Sequence, residues 1–137
     1  MNVTQTITRK DNLLRDTLRA NSIFSGVSGL VLVGGFAPLA NFIGVAWAWT
    51  LIVLGIGLLA YAFLLRQAAR RAVLDAREAM VFIVSDVAWV FVSVVLLVTN
   101  WIPFTTEGRW LIVILADLVA CFAVLQFVGL RRLARVS

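Results

Sequence analysis

AMVFIVSDVAWVFVSVVLLVT, residues 79–99, runs for 21 residues with one ionisable side chain, Asp86. At a rise of about 1.5 Å per residue, a helix of this length crosses a ~30 Å hydrocarbon core. Inside a bilayer the backbone has no water to bond, so such a stretch satisfies its own amides as an α-helix. Three further runs share this character, 22–40, 45–65 and 110–130. A polar leader precedes the first run and no small-residue cleavage site follows it, so it reads as a retained span and not as a signal peptide. The expected fold is all-α, an integral membrane four-helix bundle forming one domain over residues 1–137.

Composition points the same way. The chain is 62% hydrophobic and 14% charged, where soluble domains sit near 45–50% and about 25%. Its net charge of +5 does not describe a nucleic-acid surface, because the basic residues stand at the ends of apolar runs and not beside a soluble core. Arg9, Lys10, Arg15 and Arg19 precede the first run, Arg66, Arg70, Arg71 and Arg77 lie between the second and third, and Arg131, Arg132 and Arg135 follow the fourth. Arg109 alone falls on the other side. The positive-inside rule then places both termini in the cytoplasm, with a bacterial inner membrane as the expected location and the Arg-rich face against anionic lipid head groups. Trp47, Trp49, Trp101, Phe104 and Trp110 gather at the opposite ends, where an interfacial aromatic belt belongs.

Ahead of the first run, Thr8 and Asp11 have capping-box spacing, and Leu14 and Leu18 share a face flanked by Arg15 and Arg19. This predicts an amphipathic interfacial helix over 9–21 at the inner head-group level, with a disordered basic leader as the alternative. In the middle turn Arg71 and Asp75 are four apart, which favours a helical extension of the second span.

The chemistry concentrates in two intramembrane carboxyls, Asp86 and Asp117, since an acidic residue at the centre of a span costs ~2.5–3.5 kcal/mol on insertion scales. Asp86 lies about seven residues from the inner end of its span and Asp117 about seven from the outer end of its own, a separation of roughly 10 Å along the membrane normal. That is too far for a shared proton. Ser93, seven residues beyond Asp86, shares its face, and antiparallel packing brings it level with Asp117. Tyr61 comes level with Asp86, and Ser25 and Ser28 lie at similar depth. Gln126 is also level with Asp86, but it is nine residues from Asp117 and so on the opposite face of its helix. One of Gln126 and Asp117 therefore faces away from the interior.

Two readings of Asp86 follow. In one, Asp86, Trp89, Tyr61 and neighbouring hydroxyls bind a proton or small organic cation, the indole adding cation–π attraction. In the other, a protonated Asp86 is a scaffold group bonded to the next helix. The chain has no His and a single Cys, Cys121. That excludes an internal disulfide and a Cys/His zinc site, and with no nucleophile–base pair to assemble, neither enzyme activity, metal nor cofactor is expected. Small residues in the first two runs, among them Ser22, Gly26, Gly29, Gly55 and Gly57, permit close helix approach, within one bundle or between protomers.

In size and span number the chain resembles the small multidrug-resistance transporters, but those carry a membrane-embedded Glu in the first span and 22–40 holds no acidic residue. Vitamin K epoxide reductase relatives, also of four spans, need a CxxC that one Cys cannot supply. No residue is carried over from either. The expected function is that of a small non-enzymatic membrane protein, acting as a homo-oligomer, that binds or moves a proton, a cation or a small cationic or amphipathic molecule. Its alternative is an accessory or assembly subunit of a larger membrane complex.

Overall fold

A computed structural model describes residues 3–71 and 73–136, with the backbone alone for residues 3–12, 134 and 136. Five helices follow one another: α1 (Val3–Gly34), α2 (Phe36–Ile43), α3 (Trp49–Arg70), α4 (Ala76–Thr99) and α5 (Thr106–Val136), with no strand among the described residues. Three of them, α3, α4 and α5, are long and apolar enough to cross a membrane, and α1 with α2 makes a fourth if that bent pair is counted as one span. The chain is thus an all-helical, multi-pass membrane protein.

The first apolar run departs from expectation. Helix α1 stops at Gly34, and α2 leaves it at 96°, so 22–40 is not one straight span. The break falls at the Gly34-Gly35 pair, where two residues without side chains hold the helix least firmly. Pro38 lies in the first turn of α2, where a missing N–H costs nothing. Gly44 ends α2 in the left-handed conformation at φ 90°, with its amide donating to the Ala40 carbonyl. A side chain is barred there twice over, since a Cβ would also lie 2.8 Å from the Thr105 amide nitrogen. Thr105 ties the end of α2 to the start of α5: its amide donates to Ile43 O at 2.9 Å, its hydroxyl donates to Phe42 O, and the same hydroxyl accepts from the Gly108 amide at 3.0 Å.

The separate interfacial helix over 9–21 is also corrected. Helix α1 runs unbroken from Val3, so Thr8 stands inside a helix and not at its start. Leu14 and Leu18 are 0% and 1% exposed, packed with Leu65, Ala69, Phe82, Ile83 and Leu130 in the apolar core at the Arg-rich end. The apolar stripe expected to face lipid is covered by the protein's own helices.

Helix α1 packs against both α3 and α5, and α4 packs chiefly against α5 with a sparser contact to α3. The α1–α3 contact is the tightest. A Cβ on Gly29 would stand 2.8 Å from Gly55 O, and one on Gly55 would stand 2.9 Å from Gly29 O, while Ser22 Oγ donates to Ala62 O at 2.9 Å. These small residues join two helices of the same chain. Gly57, by contrast, has open space around it.

Helix ends are closed by side chains. Arg15 donates to Ala69 O at 2.6 Å and to Arg71 O at 2.7 Å, closing the C-terminus of α3. Arg109 does the same for α4, reaching Leu97 O at 2.6 Å and Asn100 Oδ1 at 2.7 Å. Asp75 does not pair with Arg71; it caps α4, accepting from the Arg77 amide at 2.9 Å, and Arg71 pairs with Glu78 at 3.2 Å. The extension of α3 past Leu65 ends at Arg70.

Candidate functional site

Asp86 is the convergence point of the four long helices. Asn21 of α1 donates through Nδ2 to Asp86 Oδ2 at 2.8 Å, and Gln126 of α5 donates through Nε2 to the same oxygen at 3.0 Å. The Tyr61 hydroxyl of α3 donates to Asp86 Oδ1 at 2.8 Å. Asn21, Asp86 and Gln126 are 1%, 4% and 0% exposed, with Tyr61 half-buried beside them.

Each partner is itself held. The Tyr61 hydroxyl also lies 3.2 Å from Phe82 O, and its ring packs edge-on against Phe82 with centroids 5.7 Å apart. Asn21 Oδ1 accepts from Ser25 Oγ at 3.3 Å. One polar atom stands out, Gln126 Oε1, a buried acceptor with no partner among the described residues. Buried polar groups are costly without partners and favourable with them, so three donors on one carboxyl from three helices fix how those helices sit against α4.

Counting along the sequence puts Tyr61 and Gln126 level with Asp86, and the structure brings all three together. Gln126 and Asp117 do take opposite faces: Gln126 points inward and Asp117 is exposed on the outside of α5. The other candidates are elsewhere. Ser93 is buried but donates back to Trp89 O at 2.8 Å within its own helix, and the half-buried Trp89 makes no bond to Asp86. The stripe Asp86, Ser93, Asp117 is therefore not formed, because α5 turns Asp117 away.

Asn21 is the member of the node that sequence reasoning misses. Its position at the end of an expected surface helix hides it, yet Leu14, Leu18, Asn21 and Ser25 repeat at alternating spacings of four and three, one continuous helical stripe. That periodicity, carried across the expected boundary at residue 22, is the signal. Among the described residues no group of three or more His, Cys, Asp or Glu is placed to hold a metal.

Comparison with known proteins finds no matching family model, no similar curated protein and no similar solved structure.

Proposed function

We propose that the protein is a small non-enzymatic membrane subunit that acts by packing against another membrane protein, with Asp86 as the internal clamp of its helical frame. The observation that carries this is the occupancy of Asp86: both carboxylate oxygens are taken up by donors from α1, α3 and α5. A group so engaged serves cohesion. The outward position of Asp117 supports the same reading, since a carboxyl on a lipid-facing surface calls for a partner. The distribution of Arg supports a cytoplasmic placement of both termini.

A second reading, binding of a proton or small cation at the node, draws support from Gln126 Oε1, a buried oxygen open to a donor or cation. Reconstitution separates the two. Proteoliposomes with a trapped pH dye are expected to show no proton movement dependent on Asp86, while the chain solubilised in mild detergent from native membranes migrates in a complex larger than its own 15.1 kDa and one micelle. Proton flux lost in Asp86→Asn would favour the second reading and sink the first.

A further inference from the structure

The exposed face of α5 is built around a carboxyl with no partner among the described residues. Ile114, Asp117, Cys121, Val124 and Leu125 are all exposed, and at 100° per residue they share one side of the helix with Asp117 and Cys121 at its centre. Buried Ala116, Val119, Ala123 and Gln126 take the other side. Asp117 stands seven residues inside the run that begins at Trp110, roughly 10 Å along the helix axis. Among the described residues it makes no hydrogen bond or ion pair.

Among the described residues no cation reaches it. Arg109, the one basic residue on that side, is engaged with Leu97 O and Asn100 Oδ1, and every other Lys and Arg lies toward the far end of the bundle. A second copy packed by this face in the same orientation would set carboxyl against carboxyl. The complementary occupant is a helix that is apolar on the contact side and basic at one depth.

We infer that the α5 face centred on Asp117 is a docking surface for a membrane-spanning helix of another protein carrying a Lys or Arg at the depth of Asp117. The inference rests on the accessory-subunit reading and specifies the partner's chemistry. An ion pair formed there is shielded from water, so it sets both depth and rotation of the partner helix.

Cys121, exposed and one turn inward from Asp117, reports on occupancy without any substitution. The full chain is reconstituted in phosphatidylcholine vesicles with synthetic Leu-rich transmembrane peptides. One peptide carries a Lys at the matching depth, the other a Leu, and each has a Cys one turn further inward. Under mild oxidation the Lys peptide is expected to form the disulfide with Cys121 several-fold faster than the Leu peptide. Asp117→Leu removes the difference and Asp117→Glu keeps it. Equal rates for the two peptides, an unchanged preference in Asp117→Leu, or preferential Cys121–Cys121 dimers would each overturn the inference. The broader reading is scored apart: a native complex that persists in Asp117→Leu keeps the accessory role and discards this face, whereas a wild-type chain that migrates alone discards the role.

Discussion

Replacing Asp86 by Asn and by Leu separates loss of charge from loss of an acceptor, and the geometry gives different magnitudes for each. An Asn side chain set with Oδ1 in place of Oδ2 still accepts from Asn21 and Gln126. Its Nδ2 then faces the Tyr61 hydroxyl and donates to it, and the hydroxyl proton turns to the Phe82 carbonyl already 3.2 Å away. Every group stays bonded, so Asp86→Asn is expected to change stability by less than the ~0.6 kcal/mol average for a hydrogen bond between membrane helices. Asp86→Leu leaves Asn21 and Gln126 with amide donors facing hydrocarbon and Tyr61 with its longer bond alone. Three bonds at the same average come to about 2 kcal/mol. Reversible unfolding in mixed detergent micelles, followed by circular dichroism, measures both. Equal stability of the Asn and Leu variants would refute the clamp, because the three donors would then gain nothing from an acceptor.

Gly29→Ala is expected to cost about 1–3 kcal/mol, since its methyl meets the Gly55 carbonyl and the backbones must separate; Gly57→Ala, in open space, is expected to be neutral or to gain up to ~1 kcal/mol from helix propensity, and the same unfolding assay compares them. Arg109→Ala is expected to lower stability by about 1 kcal/mol through the freed Leu97 carbonyl, and Arg109→Lys to restore it only in part, because a single ammonium cannot span Leu97 and Asn100 as the guanidinium fork does. Single cysteines at Val73 and Thr106, in a chain lacking Cys121, are expected to react with an impermeant maleimide from opposite sides of the membrane; labelling of both from the outside would refute the orientation. Val73 suits the test because it is 81% exposed and open to the reagent.

The apolar runs of α3, α4 and α5 are legible in the sequence because length and hydropathy alone define them. The depth arguments for Tyr61 and Gln126 succeed because antiparallel helices of uniform rise make level a matter of counting. Assignment by polarity near the ends does not succeed. Leu14 and Leu18 beside Arg15 and Arg19 look like a helix on a lipid surface, and sequence cannot distinguish a stripe that meets lipid from one that meets Leu65 and Leu130. The turn at Gly35 is hidden for a related reason, as hydropathy is blind to direction and 22–40 is apolar on both sides of the bend. Asp117 and Ser93 fall outside the node because a shared depth does not fix rotation. The lone Arg109 at the Trp-rich end, which charge counting treats as an exception, is accounted for by the carbonyl it holds at the end of α4.

The order in which the chain supplies its clamp has a consequence for synthesis. Asn21 and Tyr61 enter the membrane first, each with a hydrogen to give and no carboxyl to receive it. Asp86 arrives third, and Gln126 completes the set only when α5 is in place. A nascent chain stopped before α5 therefore holds a carboxyl engaged by two of its three donors, with one side of the frame open. Closure of the node waits on α5, so a protease or chaperone that recognises loosely held membrane helices meets an open frame in any form cut before Gln126 and a sealed one once α5 has joined.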